Sequence, residues 1–473
     1  MKITVNKKDI IWSYISTIVS MFSNFLILPF VLRYLDDLSI GLYYVFVSLS
    51  AISALFDFGF AASFSRNIAY CWSGSAALQK EGAVKAVGNA NTDYALMKKV
   101  LFTSKVIYGL LSSVALVIGL TAGTAYIVHI SRELSGNVHI ISWFIYVAAI
   151  FLNLYYGYYA SYLRGVGAIQ KVSIIITISR IFQVIITAVL LICGTGLLGV
   201  CVAYFTYGLF FRFACQKAFY SYNDIGLHLG VVTEKLTIKS VFPLFMDIWY
   251  NAWREGIISL SNFLLSQAGT VICSIYFSLY ETGLYSLSVQ LTTAISIIAS
   301  TMYNTYQPSL QSAYVRRDIE GQKKSMSMIV ITYIGLFVVG MIALLLIGRP
   351  IIAWLRPSYA LSIPMLLLVG CYQFILKFRN CYTTYFSSTN RLYYMRSFII
   401  SAILCVILTV LFAEMSGWGI FGFVIAQILS QAIFNVWYWP VKTHQELNLN
   451  IHETFSYAYT GYKQLIFKDS KQG

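Results

Sequence analysis

The chain has 473 residues, of which 58% are hydrophobic and only 11% charged, with a mean hydropathy of +0.72 and a formal net charge of +15. A water-soluble protein carries roughly a quarter charged residues, so this composition excludes a soluble globular fold: there are too few polar groups to cover a water-facing surface. The positive balance does not call for nucleic acid, because Lys and Arg collect in the cytoplasmic loops of polytopic membrane proteins.

The N-terminal apolar run 10–32 follows Lys2, Lys7 and Lys8. It is longer than a signal-peptide core and no small-x-small cleavage site follows it, so it is expected to stay as the first membrane helix. Further runs of about 20 apolar residues occur at 40–63, 100–124, 140–162, 172–193, 195–215, 252–277, 284–306, 327–347, 361–386, 395–413 and 418–440. These predict an all-α polytopic membrane protein of twelve transmembrane helices. The expected organisation is a six-helix bundle at 1–215 and a cytoplasmic linker at 216–251. A second six-helix bundle at 252–440 and a cytoplasmic tail at 441–473 follow. The linker carries the amphipathic lead-in SVFPLFMDIWYNAW.

With a cytoplasmic N-terminus and alternating loops, the far side receives only Arg33, Arg132, Arg349 and Arg356. Nearly all other loop Lys and Arg, Arg66 and Arg212 among them, fall on the cytoplasmic side. That imbalance sets the orientation, with both termini inside. The eight cysteines show no CxxC spacing and no pairing with the five histidines. Most lie in apolar runs, where Cys behaves as a small hydrophobe, so no metal or cofactor is expected.

The chain repeats itself. Ser23-Asn24-Phe25-Leu26 in the first helix matches Ser261-Asn262-Phe263-Leu264 in the seventh. Gly41-Leu42-Tyr43, opening the second helix, matches Gly283-Leu284-Tyr285, opening the eighth. Two matches in the same order, each marking the same hairpin, point to two homologous halves. Six helices per half is an even number, so both halves enter the membrane in the same direction, as in parallel-repeat transporters. Polar stripes run along the two equivalent helices: Ser13, Ser16, Ser20 and Ser23/Asn24 in one, Ser259, Asn262, Ser266 and Thr270 in the other. Close helix packing through small residues and the lining of a shared cavity explain them equally well; their recurrence in both helices favours the cavity.

Ionisable groups at membrane depth are costly and rarely face lipid, so each is a candidate functional group. Arg180 lies about 12 Å into its helix, beyond easy snorkelling. Lys377 and Arg379 share a helix but project about 200° apart. Lys377 belongs to a stripe with Gln373, Asn380 and Thr384 that reads as cavity lining, while Arg379 pairs internally or reaches the cytoplasmic surface. Arg254 and Glu255, with Asp247 upstream, are explained either as a cytoplasmic gate or as an interfacial belt with Trp and Tyr anchors. Lys105 is close enough to the cytoplasmic end of its helix to snorkel. Asp57 either neutralises a neighbouring Arg or titrates as a coupling carboxylate. Cations outnumber acids at these positions, which suits an anionic passenger.

The stretch Ile40–Arg66, with its GLY start and LFDFGFAASFSR end, resembles the O-antigen (Wzx-type) polysaccharide-unit flippases. So do Arg164-Gly165, the segment WREGIISLSNFLLSQAGTVICSIYFSLYETGLYSLSVQL and the YNTYQPSL end of the eighth helix. The resemblance implies the fold of the multidrug/oligosaccharidyl-lipid/polysaccharide (MOP) exporters, two six-helix bundles in a V around a central cavity. It also implies a bacterial inner-membrane flippase, without a cofactor, that moves undecaprenyl-pyrophosphate-linked oligosaccharide from the cytoplasmic to the periplasmic leaflet. Other polysaccharide-assembly proteins would be partners, and nucleic acid would not. Arg180, Lys377, Arg254, Arg379, Gln373, Asn380, Asn24 and Asn262 are then the candidate substrate-binding residues. Asp57, Asp247 and Glu255 are the candidates for coupling to a proton or sodium gradient. The competing readings are a multidrug–cation antiporter of the same fold and a membrane-embedded polysaccharide polymerase or acyltransferase. The latter is disfavoured by short far-side connections that hold no acid–base pair or nucleophile constellation.

Overall fold

A computed structural model describes residues 3–467 apart from 37–38, 40–41, 44, 48, 51–56, 58, 76, 79–90, 132–135, 234–235, 278, 356–360 and 416. Among the described residues the chain is helical throughout, with no strand. The helices are α1 (Lys7–Tyr34), α2 (Phe60–Trp72), α3 (Tyr94–Ile118), α4 (Thr124–Ile130), α5 (Val138–Tyr155), α6 (Tyr158–Gly165), α7 (Ile169–Ile192), α8 (Gly196–Tyr220) and α9 (Ile225–Val231). There follow α10 (Ile238–Tyr276), α11 (Leu279–Ala299), α12 (Thr301–Val315), α13 (Ile319–Ala343), α14 (Arg349–Leu355) and α15 (Ile363–Ser388). The chain ends with α16 (Met395–Met415), α17 (Gly419–Ala432), α18 (Asn435–Leu447) and α19 (Ile451–Phe467).

Among the described residues, eight helical stretches are long and apolar enough to cross a membrane: Tyr94–His129, Val138–Gly165, Ile169–Ile192, Gly196–Tyr220, Leu284–Val315, Ile319–Trp354, Met395–Glu414 and Gly419–Leu447. Each coincides with one of the apolar runs expected from the sequence. Their outer faces carry bare hydrophobic side chains, Leu110 at 68%, Phe213 at 67% and Leu346 at 71% exposure. Apolar surface on that scale is stable against acyl chains and not against water. This is a multi-pass membrane protein.

The chain folds into two compact units, one formed by the chain up to Gly256, the other by Ile257 onward together with the segment Ile3–Lys7. In the first unit α7 and α5 pack on α8, α2 packs on α6, and α3 bridges α5 and α2. Its core gathers Val31, Leu42, Phe46, Trp143, Leu191 and Leu197, with the Phe46 and Trp143 rings 5.2 Å apart. In the second unit α15 is the central element, touching α11, α13, α17 and α18, while α17 lies along α16 and the amphipathic α19 lies on α13. Tyr285, Val369, Phe423 and Val424 fill one core.

The two units carry matching local devices. In α3 the Asp93 carboxylate caps the helix by accepting from the Leu96 amide at 2.8 Å, and in α13 Asp318 does the same for Gly321 at 2.8 Å. After the same number of residues, each helix passes through a π-helical turn, Gly119–Gly123 in one and Leu344–Gly348 in the other. Such turns are rare and costly, so their recurrence at one spacing is a structural trace of duplication. Ser23 and Ser261, paired by the sequence repeat, are both buried, and each bonds the carbonyl four residues back, Val19 and Ile257.

Two sequence expectations need correction. The second helix was expected to end near residue 63, with Arg66 in a cytoplasmic loop; instead α2 runs from Phe60 to Trp72 and buries Arg66 at 1% exposure. Arg212, also assigned to a loop, is buried within α8, which continues to Tyr220 because Phe213, Cys215 and Phe219 prolong its apolar side. Removing both from the loop count leaves the sense of the charge imbalance unchanged. Gly41 and the side chains of Asn24 and Thr270 lie outside the described residues.

Candidate functional site

Three polar clusters lie inside the helical units. The first surrounds the start of α2. Asp57 precedes that helix and accepts the Ala61 amide at 3.1 Å on one oxygen, so it serves as the helix's terminal carboxylate. Its other oxygen accepts the Tyr108 hydroxyl from α3. Gly59 turns the chain with φ +73°, and a Cβ there would stand 2.4 Å from the Cβ of Glu255. That close approach brings α10 against α2. About two helical turns beyond, Arg66 Nη1 donates to Glu255 Oε1 at 3.0 Å, with side-chain exposures of 2% and 10%. Arg66 Nη2 also reaches Ser63 Oγ at 3.3 Å. The sequence left open whether Asp57 neutralises an arginine. The structure gives it a tyrosine and an amide instead, and the arginine beside it is neutralised by Glu255.

The second cluster sits between α7 and α8. Arg180, half-buried near the middle of α7, donates from Nη1 to Gln183 Oε1 at 2.9 Å and stacks 4.6 Å above the Tyr207 ring. Arg212 lies within electrostatic reach of the same tyrosine. Gly208 makes room for it: a Cβ there would stand 2.7 Å from Arg212 Nη1 and 2.4 Å from Asn153 Oδ1 of α5. The Nε atoms of both arginines and the Asn153 Oδ1 make no hydrogen bond among the described residues. Among the described residues no carboxylate pairs with either guanidinium. The sequence singled out Arg180 but missed Arg212. The aromatic residues continuing past it were the available signal.

The third cluster belongs to α15. Arg379 is fully buried, and among the described residues its partners are neutral: Gln431, Ser401 Oγ at 3.5 Å and Asn262 Oδ1 at 2.8 Å, with its guanidinium 3.9 Å above the Phe398 ring. It ties α10, α16 and α17 to α15, which settles the open choice in favour of internal pairing. Lys377 behaves differently. It is half-buried and has no hydrogen-bond or ion-pair partner among the described residues. On its stripe, Gln373 Nε2, Asn380 Oδ1 and Thr384 Oγ1 are likewise unsatisfied. Buried polar atoms left this way are expensive, and three of them at helical spacing around Lys377 make a column prepared for a polar ligand or water.

Arg254 lies 3.7 Å over Tyr250 and 5.6 Å from Trp253, an aromatic setting of the kind found at membrane interfaces. Asp247 is half-buried on α10. In α1, Ser13, Ser16 and Ser23 are buried, and Ser16 and Ser23 bond carbonyls of their own helix. Those two hydroxyls are thereby satisfied within α1.

No protein-family model matches the sequence, and no curated protein matches it. Solved structures do. A MATE transporter in its bent conformation aligns with a TM-score of 0.74 at 12% identity, over 93% of this chain and 96% of that one. The chain has the MATE transporter fold. An outward-facing multidrug-resistance MATE transporter of the MOP superfamily aligns at 0.71 and 12% identity, over 93% and 94% of the two chains. A MOP transporter of Pyrococcus furiosus, whose binding pocket is described as having reversed polarity and as suggesting a different function, aligns at 0.63 and 12% identity, over 94% and 96%.

Proposed function

We propose that the protein is a flippase that carries an undecaprenyl-pyrophosphate-linked oligosaccharide across the bacterial inner membrane by alternating access of two six-helix halves. The observation that carries this reading is the unbalanced cationic charge inside membrane-spanning helices. Arg180 and Arg212 flank Tyr207 with no carboxylate partner among the described residues, and Lys377 heads an unsatisfied polar column. Burying a cation without a counter-ion costs several kcal/mol. An anionic passenger bearing a pyrophosphate would supply the missing charge, and its sugar hydroxyls suit Gln373, Asn380 and Thr384. The polyprenyl tail would stay in lipid while the head crosses. The matched caps and π-turns support two equivalent halves.

The test is deletion of the gene followed by analysis of lipid-linked intermediates. The reading expects undecaprenyl-pyrophosphate-linked repeat units to accumulate on the cytoplasmic side with loss of surface polymer. Single repeat units at the surface without long chains would instead indicate a polymerase.

A second reading, a multidrug–cation antiporter, is favoured by one feature, the Asp57 carboxylate held by Tyr108 inside the first unit. It expects export of cationic dyes, lost on Asp57→Asn.

A further inference from the structure

The second unit holds a groove of about 460 Å³ between α16, α17 and α18 that meets the polar clusters described above only at Ser401. Its walls are mostly apolar: Ile400, Leu404, Ile433 and Phe434 line it, with Ile400 at 64% and Ile433 at 58% exposure. One end carries two cations, Arg396 and Lys442. Arg396, Ile400 and Leu404 recur every fourth residue, so one face of α16 runs from charge to hydrocarbon over about two turns. The loop-charge imbalance assigns the charged end to the cytoplasmic face.

The two cations are unusual for their neighbourhood. Nearby Arg391 is paired with Glu446, whereas neither Arg396 nor Lys442 has a carboxylate partner among the described residues. Lys442 is instead held among aromatic rings, 5.2 Å from Tyr393 and 5.6 Å from Tyr438. Behind them the helix breaks: α17 ends at Ala432 and α18 begins at Asn435, with Phe434 at φ −140°, ψ −55°. The break frees backbone groups that hydrocarbon cannot satisfy. Trp437 Nε1 covers one of them, the Ile433 carbonyl, at 3.1 Å.

We propose that this groove binds an anionic phospholipid of the cytoplasmic leaflet, its phosphate between Arg396 and Lys442 and an acyl chain along Ile400, Leu404 and Ile433. Charge complementarity identifies the occupant. A paired cationic end needs an anionic headgroup, and a continuous apolar trough needs a chain attached to it, which free phosphate lacks.

The full-length protein in detergent micelles, offered phosphatidylglycerol or phosphatidylcholine and read by native mass spectrometry, tests the assignment. Phosphatidylglycerol should be retained in preference to phosphatidylcholine. Arg396→Gln and Lys442→Gln should each weaken retention about fivefold, and the pair about thirtyfold, at about 1 kcal/mol per surface cation. The charge-keeping pair Arg396→Lys and Lys442→Arg should retain it, and Ile400→Trp, which blocks the trough without changing charge, should weaken it. Lys463→Gln, removing an exposed cation of α19, should leave it unchanged. Equal retention of the two lipids, an equal loss in the Lys463 variant, or full displacement by millimolar inorganic phosphate would overturn the proposal.

Discussion

Arg66 of α2 and Glu255 of α10 face each other across 3.0 Å with both side chains nearly closed off. The sequence places them 189 residues apart and gives no sign that they meet. Removing one partner of a buried pair strands the other charge, whereas replacing both with neutral groups of similar size is often neutral or stabilising. Arg66→Ala should therefore lower stability by about 3–5 kcal/mol, while Arg66→Met combined with Glu255→Met should recover most of it. Thermal unfolding of the purified protein in detergent reads the difference; a double variant as unstable as the single would show that the pair is not the source.

Gly59 is the joint that allows this approach. Its φ of +73° alone costs a side-chain-bearing residue about 1–2 kcal/mol, before the overlap with Glu255. Gly59→Ala should reduce the yield of folded protein sharply. Gly109→Ala, where the added methyl would meet only Tyr155 at an ordinary 3.5 Å, should be tolerated. Fluorescence-detected size-exclusion profiles compare the two; equal profiles would contradict the tight packing of α10 on α2.

Asp57 can be separated from its structural duties by an isosteric change. Asp57→Asn keeps one carbonyl oxygen for the Ala61 amide and turns its NH2 toward the Tyr108 oxygen, which costs about 1 kcal/mol for the displaced hydroxyl bond, so the protein level should hold. If the carboxylate couples transport to an ion gradient, transport by the variant should no longer respond when the proton or sodium gradient is collapsed. Gradient dependence equal to that of the natural protein would restrict Asp57 to capping α2.

The helical architecture was legible because apolar runs of membrane length leave an unmistakable compositional mark, and all eight long apolar helices fall where those runs predicted. The end of the second helix was not, because FAASFSRNIAYCW mixes polar residues into a segment that buries them against protein. Arg66 and Arg212 looked like loop cations for the same reason. The Lys377 column was legible from helical spacing alone, since Gln373, Lys377, Asn380 and Thr384 share one face whatever surrounds them. Its neighbour Arg379 could be placed off that face, but not matched to Asn262 or Gln431, because such partners come from distant helices. The π-turns left no sequence trace: they shift a local hydrogen-bond register without changing composition. The capping pair Asp93 and Asp318 was readable and marks the duplication better than the short sequence matches do.

The proposed passenger of the membrane-helix cations, which have no carboxylate partner among the described residues, is an anionic, lipid-linked sugar. The direct measurement is translocation of undecaprenyl-pyrophosphate-linked oligosaccharide in proteoliposomes, alongside export of a cationic dye. The sugar lipid should cross and the dye should stay. Lys377→Ala and the Arg180→Ala, Arg212→Ala pair should each slow translocation at least about tenfold, the equivalent of about 1.4 kcal/mol of lost interaction, with protein incorporation unchanged. Dye export without movement of the sugar lipid, or translocation by both variants at the rate of the natural protein, would contradict that proposal.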